Sequence, residues 1–359
     1  MSEEKKDSGM KWVIVANVMI AVVVGLLVWA SSIERHIAKN QEVLYAKDMQ
    51  DFSKSEPLKA KANKSYDFDL KVLPYYCDGV EGNVDVMLIT DANYMEFTRV
   101  AMYSAIKNKC PLTTYNFHVM TLDLAEGDDV ALKAFETDGV KVSLYPQKDI
   151  DLFYIRDTHV SKTSLLKYYI ADVLKDLDKV IYIDSDVLVL QDLNELYAKD
   201  IEGKYLAAVK DPSWFFENTH VLELNLEERG FYFNSGVMLM NLAKIRNDNL
   251  VAKLEDYTNN NFRTYMDQDA LNVVVGNDVA LLDVKYNTMN FFFAHNPLSV
   301  LSDFYEKNWE DFENVFEGAS IIHFASSRKP LGITVEKTDF FYMLQRLWYK
   351  YYRDLVPLQ

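Results

Sequence analysis

Two carboxylates one residue apart are the first sign of chemistry in this sequence. The run Lys179-Val180-Ile181-Tyr182-Ile183 has the β-branched and aromatic texture of a strand, and it ends in Asp184-Ser185-Asp186. Side chains at i and i+2 of an extended chain point the same way. If extended geometry persists, both carboxylates face one point. Two converging carboxylates need a cation, or one of them must take up a proton. Oxygen ligands of this kind suit Mg2+ or Mn2+ bridging to substrate phosphates. The triplet is weak by itself, because Asp-x-Asp recurs at 67–69, 149–151, 176–178 and 267–269. A solvated strand end is the plain alternative.

Four further groups add weight through their order. Asp91, Asn93 and Tyr94 follow the strand pattern 84–90, and a stacked aromatic with amide hydrogen bonds is what a base and ribose require. Asn234 precedes a strand and suits a cap or turn as well as a ligand contact. Asp267 and Gln268 open a helix, where acids also favour the helix dipole. His323 lies two residues before the end of the pattern 320–325, with Lys329 six residues on. Alone, His323 would fit a satisfied core histidine.

The elements that must position these residues are legible from Asn83 onward. Strand patterns at 84–90, 115–120, 141–145, 179–183, 205–209, 236–240, 279–284 and 320–325 alternate with helical patterns at 94–108, 161–176, 265–275 and 305–315. This alternation predicts an α/β domain with a largely parallel sheet over 83–335. In open α/β sheets, ligands bind outside the carboxyl ends of strands, which is where these residues fall. The helix predicted within 336–359 places Phe340, Leu344, Leu347 and Tyr351 on one face beside a basic stripe of Arg346, Lys350 and Arg353. Such a helix packs on the core with a solvated edge, or lies on an anionic membrane surface through 340–353.

Ahead of the domain, residues 1–11 form a tail and residues 12–33 contain no charge. That stretch is long enough to cross a ~30 Å hydrocarbon core as one helix and too long for the apolar segment of a cleaved signal peptide. Trp12 and Trp29 sit where interfacial anchors would. Residues 34–82 read as a stem or linker, with a glycosylation sequon at Asn63-Lys64-Ser65.

Composition narrows the chemistry. The net charge of −16 argues against nucleic acid as a partner. Glycine is scarce, at 12 of 359 residues, and there is no GxGxxG or GxxxxGK[ST] loop to cradle phosphates. The two cysteines, Cys77 and Cys110, exclude a cysteine zinc site and a disulfide framework; one bridge is open, but two unpaired thiols are the expectation.

The set and order of these motifs over 83–335 resembles glycosyltransferase family 8. The resemblance implies a GT-A fold, a Rossmann-like nucleotide-binding mixed sheet, with Mn2+ (or Mg2+) and a UDP-hexose donor. It implies metal ligation by Asp184, Asp186 and His323. Uridine and ribose contacts would come from Asp91, Asn93 and Tyr94, and donor-sugar contacts from Asn234, Asp267 and Gln268, with Gln268 beneath the anomeric carbon. Lys329 would meet the diphosphate. Lys167 stands where the family carries an arginine, which keeps the charge but loses the bidentate fork. In the family's HxxGxxKPW pattern the glycine is replaced by Ser326 and the tryptophan by Leu331.

The activity implied is retaining transfer of a glucose or galactose from a UDP-sugar to a glycan, glycolipid or lipopolysaccharide-type acceptor. Two alternatives stand beside it. Asp184-Ser185-Asp186-Val187 also resembles a haloacid-dehalogenase phosphatase signature, and the substitutions near Lys329 admit a membrane-anchored, non-catalytic scaffold. The placement expected is a single-pass protein with its catalytic domain on the cytoplasmic face of a bacterial inner membrane, the alternative being a eukaryotic Golgi lumen.

Overall fold

The computed structural model describes residues 65, 67, 69–77, 79, 81–147, 162–212, 222–261, 265–295, 297–325, 328–337 and 339–356. The expected anchor at 12–33, the sequon at Asn63 and Ser326 lie outside the described residues. No helix among the described residues is long and apolar enough to cross a membrane.

The strands are β1 (Gly82–Asp91), β2 (Thr113–Leu122), β3 (Val140–Pro146), β4 (Lys179–Ile183), β5 (Val187–Val189), β6 (Leu206–Lys210), β7 (Phe233–Asn241), β8 (Val279–Leu282), β9 (Thr288–Met289) and β10 (Ile321–His323). The helices are α1 (Met95–Lys107), α2 (Asp128–Lys133), α3 (Ile170–Val173), α4 (Asn194–Tyr197), α5 (Leu242–Asn247), α6 (Leu250–Asn260), α7 (Met266–Val275), α8 (Asn290–His295), α9 (Leu298–Tyr305), α10 (Phe312–Glu317) and α11 (Phe341–Leu355). A 3-10 segment, Lys162–Tyr169, leads into α3.

Seven strands form one sheet in the order β3-β2-β1-β4-β7-β6-β8, and β5-β10-β9 form a second. The large sheet is mixed: β1 to β4 run parallel, whereas β7 is antiparallel to both β4 and β6. From β1 the chain winds outward to β3 and returns to β4 on the other side of β1. That reversal opens a crevice between the carboxyl ends of β1 and β4.

The central strands are buried on both faces, which is why they read as continuous apolar runs rather than alternating ones. On one face Val84, Val86 and Leu88 belong to a core shared with Val100 of α1 and with Leu344 and Trp348 of α11. On the other, Met87 and Ile89 share a core with Leu165, Ile170 and Leu271. The C-terminal helix is thus part of the core: Phe341, Met343, Leu344 and Trp348 are buried, and Lys350 lies on its exposed edge. Arg346 pairs with Asp67 at 2.7 Å and Asp69 at 2.9 Å, so the end of the stem lies against the basic stripe.

Two expectations are corrected. The cysteines are not free thiols: Cys77 and Cys110 form a disulfide. The segment before β1 doubles back along the domain, where Leu70 is buried and Leu73 N–H donates to Glu317 O at 3.1 Å. That return brings Cys77 to the loop after α1, and spacing in the sequence does not encode it. The helical pattern at 305–315 straddles a break between two helices, Leu298–Tyr305 and Phe312–Glu317. Glu306, with φ 56°, ends α9 in the left-handed region, and the Asp311 carboxylate restarts α10 by accepting from Asn314 N–H.

Candidate active site

Four chain directions bring the predicted residues to one edge. β1 and β4 are parallel neighbours, so Asp91 and Asp184 leave the sheet on the same side. Antiparallel β7 begins at that side, with Val237 opposite Ile183, which sets Asn234, Ser235 and Gly236 beside Asp184. Antiparallel β10 places His323 opposite Val187. The carboxylates converge through the turn between β4 and β5 rather than along an extended strand. Asp184 N–H donates to Gly236 O at 2.7 Å, and Phe324 N–H donates to Asp186 O at 3.0 Å, pinning both ends of that turn.

A cavity of about 340 Å³ opens here, lined by Asp91 and Tyr94 on one side, Asp184, Asp186 and His323 at the centre, and Asn234, Asp267 and Gln268 on the other. Lys167 also lines it. Lys329 reaches the same centre from the loop after β10, where its ammonium meets Asp186 Oδ2 and donates to Phe324 O at 2.8 Å. Asn93 is not brought to the cavity; its side chain is exposed while its N–H donates to Asp91 Oδ1 at 2.9 Å. Tyr94 N–H donates to the same oxygen at 3.1 Å, and Thr163 Oγ1 donates to Asp91 Oδ2 at 3.0 Å. Asp91 therefore shapes the turn into α1 and still keeps one lone pair, on Oδ2.

Asp184, Asp186 and His323 each offer a ligand atom, all within 4.8 Å of one another. His323 Nε2 lies 3.3 Å from Asp186 Oδ1 and 3.7 Å from Asp184 Oδ2. Adjacent ligands on an octahedral cation with bonds near 2.1 Å sit about 3 Å apart, so the donor set fits a divalent ion after small adjustments. Gly236 keeps the space open: a Cβ there would lie 2.2 Å from His323 Cε1 and 2.7 Å from Asp184 Oδ2. The carboxylates lean on lysines. Lys167 Nζ is 3.2 Å from Asp184 Oδ1 and 2.8 Å from Asp267 Oδ2. Burial works against its charge, but Asp184 and Asp267 outweigh that and hold the ammonium above its ordinary range. Burial likewise raises Asp186, but Lys329 and His323 prevail and hold its carboxyl well below the usual range.

Several site residues had no motif to announce them. Tyr182 donates to Asp184 Oδ1 at 2.5 Å; its position two residues before Asp184 was the available signal. Asp211, just past β6, accepts from Asn234 Nδ2 at 3.1 Å and Gln268 Nε2 at 3.2 Å. It is one more acid at a strand end, and that position was its only signal. Ser235 Oγ lies 3.0 Å from Asp267 Oδ2. Leu331 packs against the core, and Gln345 of α11 donates to Pro330 O at 2.7 Å and Ile333 O at 3.0 Å, fixing the stretch after Lys329.

The fold is α/β, with a crevice at a topological switch point lined by two aspartates, a histidine and a lysine, and those two aspartates and the histidine could hold a divalent ion. The model of glycosyl transferase family 8 matches residues 85–330, and the chain belongs to that family. It is 28% identical over 184 residues to General stress protein A of Bacillus subtilis (strain 168), covering 49% of this chain and 61% of that protein. It is 26% identical over 247 residues to a lipopolysaccharide 1,2-glucosyltransferase of Escherichia coli (strain K12), covering 67% and 70%. The crystal structure of galactosyltransferase LgtC in complex with donor and acceptor sugar analogues superposes with a TM-score of 0.63 at 21% identity, covering 77% of this chain and 98% of that one. That likeness establishes the GT-A-like fold. Family membership leaves the phosphatase reading without support.

Proposed function

We propose that the chain is a metal-dependent retaining glycosyltransferase that moves a glucose or galactose from a UDP-sugar to a glycan, glycolipid or lipopolysaccharide-type acceptor. The observation that carries this reading is the convergence of Asp184, Asp186 and His323 at the centre of one cavity, with Asp91 and Tyr94 on one side and Asn234, Asp267 and Gln268 on the other. Asp184, Asp186 and His323 would hold Mn2+ or Mg2+, which supplies Lewis-acid charge to the departing diphosphate. The Lys329 ammonium adds positive charge on the same side. Tyr94 would present an aromatic face to the base, and Asp91 Oδ2 would offer its remaining lone pair to the ribose.

On the sugar side, buried Lys167 bridges Asp184 and Asp267 and fixes the distance between the metal centre and the sugar contacts. Gln268 Oε1 already accepts from Asn234 Nδ2 and Ser235 N–H, both at 3.0 Å. The amide is held rather than free to attack, which favours a front-face route through an oxocarbenium-like state. NMR of the product tests the scheme: the α-anomer is expected, and an inverted product would refute it.

The anchor at 12–33 would make this a single-pass membrane protein. A bacterial member would carry its catalytic domain on the cytoplasmic face of the inner membrane. The Cys77–Cys110 bridge weighs towards the lumenal alternative, since disulfides persist in oxidising compartments and are rare in the cytosol. Protease accessibility of the domain in sealed membranes distinguishes the two.

A further inference from the structure

Asn287 connects two halves of the site, His323 and Asn234. It is fully buried, in the turn before β9, and β9 runs beside β10 with Met289 opposite His323. Its Oδ1 lies 2.9 Å from His323 Nδ1, and its Nδ2 lies 2.8 Å from Asn234 Oδ1.

The polarity of this chain follows from two backbone groups that can only donate. Gly236 N–H points at one atom of the Asn234 amide at 2.9 Å, so that atom is the oxygen. Ser235 N–H points at one atom of the Gln268 amide at 3.0 Å, so that atom is also the oxygen. Asn234 therefore turns its NH2 to Gln268 Oε1 and Asp211, and Gln268 turns its NH2 to Asp211. Because Asn234 presents oxygen to Asn287, Asn287 must present NH2 there and oxygen to His323. His323 Nδ1 must then carry a proton, so in the neutral imidazole the Nε2 lone pair faces Asp184 and Asp186.

We infer that Asn287 is a positioning residue that makes His323 an Nε2 metal ligand and, with its other hand, holds the Asn234 amide in the orientation that sets Gln268. The inference rests on the metal-dependent reading of the site. Partners that orient a metal-bound histidine typically change metal affinity by about 10–100-fold.

Two variants separate the two hands. Asn287→Asp keeps an acceptor for His323 Nδ1–H but loses the donor to Asn234. Asn287→Ala loses both. Mn2+ binding to the full chain is measured by calorimetry, together with kcat and KM for UDP-glucose and UDP-galactose hydrolysis. Asn287→Asp is expected to bind Mn2+ within about threefold of the parent, while kcat/KM falls tenfold or more. Asn287→Ala is expected to lose at least tenfold in Mn2+ affinity as well. Parental Mn2+ affinity in a folded Asn287→Ala protein would overturn the inference. So would parental kcat/KM in Asn287→Asp, which covers the case where the alanine variant fails to fold. A parent chain that binds no Mn2+ would instead overturn the reading of the site itself.

Discussion

Among the described residues, two largely buried clusters bring aspartate and histidine together, and their difference shows what sets the candidate site apart. Asp85 of β1 meets His118 of β2 on the sheet well before its carboxyl edge. There Asp85 Oδ1 faces His118 Nε2 at 3.0 Å and Asn116 Nδ2 at 3.1 Å, while Oδ2 accepts from Tyr197 OH at 3.1 Å. His118 Nδ1 has Tyr145 OH at 3.0 Å. One acid is surrounded by donors, and the cluster is complete. At the strand ends, two acids and a histidine face one another with buried Lys167 and partly buried Lys329 behind them, and Gly236 keeps side-chain bulk out of the gap. The residue types are the same. The second cluster has an excess of acceptors aimed at one point in a cavity, and that excess calls for a cation.

The comparison can be broken at either cluster. The largest effect is expected at Asp186→Ala: UDP-sugar hydrolysis should fall by roughly 10²–10³ in kcat, with Mn2+ binding lost by calorimetry. Next is Gly236→Ala, whose methyl would collide with His323 Cε1 and Asp184 Oδ2. It should weaken Mn2+ binding tenfold or more and destabilise by about 1–3 kcal/mol; parental affinity would show that the gap is not needed. Asp85→Ala removes an acceptor shared by His118, Asn116 and Tyr197, although Asn116 Nδ2 keeps Asn83 Oδ1 at 3.0 Å and Tyr197 OH keeps Lys179 O at 3.4 Å; it should cost about 1–3 kcal/mol, read as a lower urea midpoint with unchanged slope. Its Mn2+ affinity should match the parent, and a loss there would erase the distinction between the clusters.

The smallest effect is the pH dependence at Asp85. Burial raises its carboxyl, but hydrogen bonds from His118, Asn116 and Tyr197 outweigh burial and hold it below 3.8. The stabilisation is therefore fully present above pH 3.8 and lost as pH falls through the lower folded value. The stability gap between the parent and Asp85→Asn should shrink below pH 4, as measured by urea titration at each pH. A gap that stays constant would sink that account.

Much of the fold was legible because its central strands are buried on both faces, and apolar runs such as Val86–Ile89 show through in any sequence reading. Site residues were legible where they sit at the ends of such runs, as Asp91, Asp184 and His323 do. Asn287 and Asp211 were not legible as functional, because their meaning lies in partners far along the chain. The disulfide escaped for the same reason, since it depends on the segment before β1 folding back on the domain. The two short strands β5 and β9 carry too few residues to show a period. Asn93 shows that a residue within a motif can face solvent while its neighbours line the cavity.

The central claim is that the converging acids and His323 hold a cation that makes UDP-sugar chemistry possible. The direct test is UDP release from UDP-glucose and UDP-galactose by the full chain, with Mn2+ and then with excess EDTA. The account predicts turnover of at least one donor with Mn2+, none with EDTA, and recovery when Mn2+ is restored. Equal turnover in EDTA, or no turnover of either donor with Mn2+, would contradict it.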